Sequence, residues 1–489
     1  MPTLSLRASS VMVCLSSGAE SCGGSAAHGG SNLALDIIFT KVRNHRNDEP
    51  CGPSGPLAYF LSLCNKRHRS HFGCLPEAKA SVMADQTLAK FVNERSILTL
   101  LRLNGGASRA TISRALSLTP ATISRLTSDM LKRGLLRETL ALAVPVGERE
   151  PGRPGIGVAV NPAGAYFLGV EIGVSVMRFV LIDLCAEVVE MREETLDHHV
   201  SADESVAAIM RIYRGFAADP RYLGKINSGG VTVPGLVTND GFIVNLPILG
   251  WRDTNLRSLL CAIPEIPFSI ENNANAAAFG AVYTQPDTQG PCTVFLKLGT
   301  GCGGAAIVNG RLLRGADGTG LELGHINLGD PGARCSCGQK GCLETWVNLA
   351  ALSRSYLGRE PGPGDDIAAL PATVASACAE GDAVARRAVD SLAAHLSTGL
   401  ASLVNIFNPS QIILGGAMRP VLNCCLADLR RDVAGRIIPG TRMPDIQISR
   451  LGAFECATGA ACVAHHKAFD ISNVEINAAP VVEPAAEQA

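Results

Sequence analysis

Between Gly320 and Thr345 the chain reads GLELGHINLGDPGARCSCGQKGCLET, and four of its side chains are metal-ligating types at close spacing. His325 is followed, after nine residues, by Cys335, then by Cys337 and Cys342. One imidazole and three thiolates are the donor set of a closed tetrahedral zinc site, in which four protein ligands leave no position for a reactive water. Gly338 and Gly341 allow the tight turns such a loop needs, and Cys335 and Cys337 stand too close in sequence to pair comfortably as a disulfide. A structural zinc ion is expected here. The His and Cys residues from Cys64 to Cys74 follow no familiar finger spacing, and no metal is assigned to them.

A second chemistry lies further upstream. From Gln86 to Arg137 apolar residues recur at helical spacing in three blocks, Leu88 to Leu103, Ser108 to Leu116 and Thr119 to Arg133. Ser108 is placed as a cap for the second block, and Thr119 with Pro120 supplies the cap and first-position proline of the third. The short turn between them is that of a helix-turn-helix. Nine Lys and Arg residues in this stretch oppose only Glu94 and Asp129, a local excess suited to DNA phosphates. Thr119, Thr122, Ser124 and Arg125 fall on the first turns of the third block, where base edges are read, with Arg125 the base-reading residue. Arg109 and Arg114 are expected on phosphates. The segment ETLALAVPVGEREPGRPGI that follows reads as a β wing and a Pro/Gly-rich hinge.

These elements sit in a chain of 489 residues whose 43 basic and 44 acidic side chains leave one net negative charge, so any nucleic-acid contact must be local. Its 17 cysteines are dispersed, as expected of reduced thiols in a cytosol. No apolar run reaches the length of a signal h-region or a membrane span, so a cytoplasmic protein without a membrane partner is expected. Residues 1–82 show no period and read as disordered, or as an upstream extension from a misplaced translation start at which Met83 begins the ordered chain. Beyond Val158 strands alternate with helices, which predicts an α/β fold. Strands are expected near Tyr166 to Glu171, Arg178 to Asp183, Gly229 to Val233, Thr293 to Leu298, Ala305 to Val308 and Gln411 to Leu414. Long helices are expected at Asn272 to Tyr283, Cys342 to Tyr356 and Asp382 to Phe407. YFLGVEIGVSVMRFVLID and TVFLKLGTGCGGAAIVNG repeat one strand, Gly-turn, strand pattern, which predicts two related lobes facing a cleft.

From Gln86 to its end the chain resembles the ROK family, which joins sugar kinases to sugar-governed winged-helix repressors. The zinc loop carries the likeness most specifically. The resemblance implies an N-terminal winged helix-turn-helix at 83–150, a hinge at 151–157, and a two-lobed, actin-like (ribonuclease H-like) sugar-binding domain at 158–469. A disordered tail at 470–489 completes the expected organisation. It also implies that Glu322 and Glu344 hydrogen-bond sugar hydroxyls, that His325 contributes its second nitrogen, and that Gly235 of the TVPG turn and Asn272 lie beside the sugar.

One departure from the family bears on the reaction. The family string E-N-D-A-N here reads Glu271, Asn272, Asn273, Ala274, Asn275. In the family's kinases the Asp takes the proton of the attacking hydroxyl; Asn273 has no basic lone pair for that task, though its amide can still hold a hydroxyl or cap the helix. The phosphate turn keeps Gly299, Thr300, Gly301, Gly303 and Gly304, and Ile413 to Met418 resembles the adenosine motif. The first phosphate motif, D-x-G-G-T in the family, has become Glu171, Ile172, Gly173, Val174, Ser175. A vestigial phosphate site and no catalysis are expected. The sequence thus points to a sugar-responsive DNA-binding regulator, a repressor acting as a homodimer or higher oligomer on a two-fold operator. The alternatives are a sugar kinase with an appended DNA-binding unit, and a sugar-binding protein whose helix-turn-helix contacts other proteins.

Overall fold

The computed structural model describes residues 77–139, 156–196, 200–246, 248–285, 290–329, 332–362 and 364–469. The expected extension up to residue 76, wing residues 140–150, hinge residues 151–155 and the tail 470–489 lie outside these. Helix α1 (Glu77–Asn104) starts ahead of Met83, inside the segment expected to lack structure. Its first turns, EAKASV, are rich in good helix formers but carry no apolar stripe, so periodicity alone does not reveal them.

The N-terminal unit follows its capping chemistry closely. After β1 (Ala107–Ser108), the Ser108 hydroxyl accepts from Thr111 N (3.0 Å) to start α2 (Arg109–Leu116). Ser117 ends α2 in the left-handed region at φ 53°. Thr119 accepts from Thr122 N (3.2 Å) and, with Pro120, opens α3 (Pro120–Lys132). Ile97, Ile112, Ile123 and Met130, all fully buried, bind the three helices together. The wing pairs β2 (Leu136–Thr139) with β3 (Gly157–Val160), and β3 also takes β1. The sheet of this unit is therefore completed by residues that the sequence reading gave to the hinge and the start of the body. Four consecutive apolar or small residues, GVAV, carry no mark of which sheet they will join.

The first lobe is a five-stranded sheet, order β11-β7-β4-β5-β6. It comprises β4 (Tyr166–Ile172), β5 (Val176–Asp183), β6 (Val188–Thr195), β7 (Ile226–Val233) and β11 (Phe268–Asn272). A small sheet of β8 (Leu236–Val237), β9 (Ile243–Leu246) and β10 (Trp251–Thr254) packs with α4 (Ala202–Ala218) and α5 (Leu256–Leu260) in the same apolar cluster. The buried helix α6 (Asn273–Tyr283) then leads to the second lobe.

That lobe has the order β14-β13-β12-β15-β16. Its strands are β12 (Cys292–Leu298), β13 (Cys302–Val308), β14 (Arg311–Leu312), β15 (Gln411–Gly415) and β16 (Asp445–Ile448). Helices α7 (Glu344–Val347), α8 (Leu349–Leu357), α9 (Leu370–Ala379), α10 (Ala383–Phe407) and α11 (Arg419–Ala434) complete it. Most of its core is formed by α8 to α11 packed on β12 and β15. Each sheet has three antiparallel strands followed by two parallel ones, and the repeat seen in sequence is the first hairpin of each. The helix expected from Cys342 to Tyr356 is broken at Asn348, whose extended backbone (φ −93°, ψ 174°) and side chain restart it by accepting from Ala351 N (2.8 Å).

The last helix, α12 (Glu455–Phe469), lies with α6 between the two sheets. Glycines permit that stacking. A Cβ on Gly169 would stand 1.9 Å from Ala457 O, one on Gly230 2.1 Å from Ala460 O, and one on Gly459 1.8 Å from Ala276 O. Replacing Gly459 by Val should therefore force α6 and α12 apart and cost about 3 kcal/mol or more. Urea unfolding of the variant measures this; an unchanged midpoint would contradict the packing.

Candidate metal centre and inter-lobe crevice

A short 3-10 turn, Leu323–His325, delivers His325 to the loop that carries the cysteines. The loop folds back on itself: Cys335 N donates to Gln339 O (2.9 Å) and Gly338 N to Cys335 O (2.9 Å), with Gly338 at φ 91° and Gly341 at φ 85°. Leu328 N donates to Gly341 O (2.8 Å) and Leu343 N to Ile326 O (2.8 Å), which zips the two ends of the loop together. As a result the ligand atoms of His325, Cys335, Cys337 and Cys342 all lie within 4.8 Å of one another. The Cys337 and Cys342 sulfurs are 3.7 Å apart, and Cys335 Sγ is 3.4 Å from His325 Nδ1. Sulfurs about 2.3 Å from a tetrahedral zinc stand about 3.8 Å from each other, whereas a disulfide needs about 2 Å. The residues fit a metal ion.

The other nitrogen of His325 faces the carboxylate of Glu322, at 3.9 Å. Withdrawal from water holds the Glu322 carboxyl above its ordinary value, opposed by the His325 imidazole. Glu344 behaves differently. Its carboxylate accepts from Cys302 N (2.9 Å) and Ser336 Oγ (3.2 Å) and lies 3.5 Å from Cys335 Sγ. It pins the metal loop to the turn after β12. That turn is the glycine-rich Gly299 to Gly304 segment, so one of its amides is already satisfied from within.

Beside this centre a small crevice, open to solvent, runs between the lobes. Gly235, Asn272 and Glu322 line it together, as do Gly303 and Gly304. Sequence reasoning missed Asn275 and the Gly318 to Gly320 segment, which also line it. Asn275 was visible in the quoted E-N-N-A-N string; the second segment bore no signal beyond its glycines. Arg314, bonded to buried Glu271, brings the loop of one lobe against the other and was likewise unseen.

Asn273 is not among the crevice residues. It is buried, its Nδ2 lies 3.5 Å from Glu171 Oε1, and its Oδ1 has no partner among the described residues. Glu171 is held in turn by Arg178 at 3.4 Å. Around them gather Lys297, held as an ammonium beside the Cys456 sulfur and the Glu171 and Glu455 carboxyls; Cys456, whose thiol burial pushes well above its ordinary value and so keeps protonated; and Glu455, whose burial pushes its carboxyl up. Glu455 stands over Gly415: a Cβ there would meet its Oε2 at 2.6 Å. The cleft where the glycine turns of β12 and β15 meet is thus lined by the protein's own ionisable side chains.

On the N-terminal unit, Ala121, Ser124 and Arg125 are exposed on the first turns of α3, and Arg114 is exposed on α2. The hydroxyls of Thr119 and Thr122 are 2.9 Å apart and occupied with capping. Arg109 is turned inward: its Nε donates to Thr127 Oγ1 (3.1 Å) and its Nη2 is 3.8 Å from Glu138. Glu94 and Asp129 neutralise Arg133 and Lys90, at 2.9 Å in both pairs.

Metal analysis of protein purified without chelators is expected to find one divalent ion per chain, lost in Cys337→Ser. Metal-free protein, or full retention in that variant, would contradict the centre.

Comparison with known proteins matches residues 167–467 to the model of the ROK family. A xylose repressor of Bacillus spizizenii is 28% identical over 358 residues, spanning 73% of this chain and 90% of the repressor. A crystal structure of a ROK family transcriptional regulator, a homolog of the E. coli MLC protein, superposes with a TM-score of 0.65 at 24% identity. It covers 78% of this chain and 97% of its own. A ROK family glucokinase from Streptomyces griseus, solved with glucose and AMPPNP, superposes with a TM-score of 0.53 at 25% identity, covering 62% of this chain and 100% of its own. With a two-lobed α/β body, a His and Cys cluster on its second lobe, and a family match over more than half its length, the chain belongs to the ROK family.

Proposed function

We propose that the chain is a sugar-responsive transcriptional repressor. The observation that carries this reading is the joining of two parts: a helix-turn-helix unit whose α3 presents Ser124 and Arg125 to solvent, and a ROK body with a polar crevice. Likeness to the repressor and the regulator extends over 73% and 78% of the chain, beyond the 62% shared with the glucokinase. In this reading residues 83–150, completed by β3, bind double-stranded DNA; 151–157 form the hinge; and 158–469 bind the sugar.

Within the body, Gly235, Asn272 and Glu322 hold hydroxyls, with His325 acting through its second nitrogen. Neutral sugars offer no charge to grip, so paired donors and acceptors must fix them. Glu344 serves mainly to aim the zinc loop, because its oxygens already accept from Cys302 and Ser336. Zinc is the ion for three thiolates and an imidazole, and its role is structural. Asn273 orients without accepting a proton, and the internal charges of Glu171, Lys297 and Glu455 occupy the space a phosphate would need. A regulator that binds sugar without phosphorylating it follows. The chain acts in a reducing cytoplasm, as a homodimer or higher oligomer on a two-fold operator.

Two experiments test this. In a coupled assay with the sugar that raises the melting temperature most, ADP release should stay at background; turnover at ordinary kinase rates would favour the kinase reading. For DNA, Arg125→Ala should relax preference at particular base pairs by about 1–3 kcal/mol, while Arg114→Ala should weaken all sequences alike and flatten the salt slope. An Arg125→Ala variant that discriminates as the parent does would refute the assignment of α3.

A further inference from the structure

One buried element runs from the crevice to the N-terminal unit. At its start, Asn272 caps α6 by accepting from Ala274 N (2.7 Å) and Asn275 N (3.3 Å), while its Nδ2 donates to Gly235 O (2.9 Å). All three of Asn272, Asn275 and Gly235 line the crevice. Every one of the 11 residues of α6 is buried, and over that length a helix extends about 16 Å. It has no slack sideways, because Gly280 and Gly459 bring its backbone against that of α12.

At its far end Tyr283 is fixed from several sides. Its hydroxyl donates to His465 Nδ1 (2.8 Å), and His465 Nε2 donates to Leu184 O (3.0 Å). Burial drives the His465 pKa down to about 3, so the ring stays neutral and its tautomer is set by these two bonds. Phe279 stacks on the Tyr283 ring at 5.1 Å. The open face carries the Arg102 guanidinium, 4.3 Å from the ring centroid, and Arg102 lies in the last turn of α1. Directly beside it, Ile97, Leu98 and Leu101 of α1 share one continuous apolar cluster with Phe167, Phe279, Tyr283 and Cys462 of the body, and with Ile112 and Ile123 of α2 and α3.

We propose that α6 carries the sugar response from the crevice to the DNA-reading helices, and that Tyr283 and Arg102 are its positioning residues. The inference rests on the repressor reading above. A sugar that engages Asn272 alters the cap and its bond to Gly235, and a rigid, fully packed helix delivers that change at Tyr283. A cation held over an aromatic face follows the ring, so α1 and the helices packed on it move with it. By linkage, DNA bound to α3 must alter sugar affinity by the same factor.

The experiment uses the full-length zinc-loaded protein, a DNA duplex selected from random sequence by the wild type, and the best binder among D-xylose, D-glucose and N-acetylglucosamine. Arg102→Met keeps the aliphatic stem and removes the cation; Tyr283→Phe keeps the ring and removes the bond to His465. Both should bind sugar within twofold of the wild type. The factor by which sugar changes operator affinity should shrink at least fivefold in Arg102→Met and at least twofold in Tyr283→Phe. If Arg102→Met fails to bind DNA at all, Tyr283→Phe decides by the same criterion. A wild-type response retained in full by the variants overturns this inference alone. A wild type whose operator affinity ignores every sugar it binds overturns the repressor reading with it.

Discussion

The fold depends on the contact between α6 and α12. Two helices whose backbones meet at Gly280 and Gly459 lie between two sheets that would otherwise face each other across a gap. Interiors pack at crystal-like density, so such a contact has no intermediate setting: side chains larger than a hydrogen would part the layers. From this pair the sheets take their spacing, the crevice takes one wall through Asn272 and Asn275, and α1 finds the surface against which it is buried. The N-terminal unit is accordingly seated on the body by apolar packing as well as by the covalent link through the wing.

Much of this was legible in the sequence, for identifiable reasons. The candidate metal-ligating residues stood out because thiolates and imidazole at that spacing have few other uses, and the structure brings all four together. Caps at Ser108 and Thr119 were found because short hydroxyl side chains before a periodic run have a defined mechanism. The two-lobe repeat was visible as paired hairpins. Non-local contacts were not. Nothing in GVAV assigns β3 to the wing, nothing in LLRG binds Arg314 to Glu271, and nothing around Arg109 turns its side chain toward Thr127 and Glu138. Local patterns state what a segment can become; its partner is chosen by the rest of the chain.

The cleft between the glycine turns shows how one architecture serves two ends. Backbone amides and small residues there would suit an anion, yet Glu344 already takes the Cys302 amide and Glu455 stands against Gly415. Buried charges of this kind cost desolvation energy and are held by their mutual field. Lys297 between the Glu171 and Glu455 carboxyls provides that field.

The crevice and the helices of the N-terminal unit belong to one packed body. Hydrogen–deuterium exchange of the wild-type protein, with and without saturating sugar, tests it most directly. Amides of the Gly318 to Gly320 segment, of α6 and of α1 from Arg95 to Arg102 should change protection together at the same sugar concentration. A change confined to the crevice, with α1 exchanging as before, would show that the crevice and α1 are not coupled.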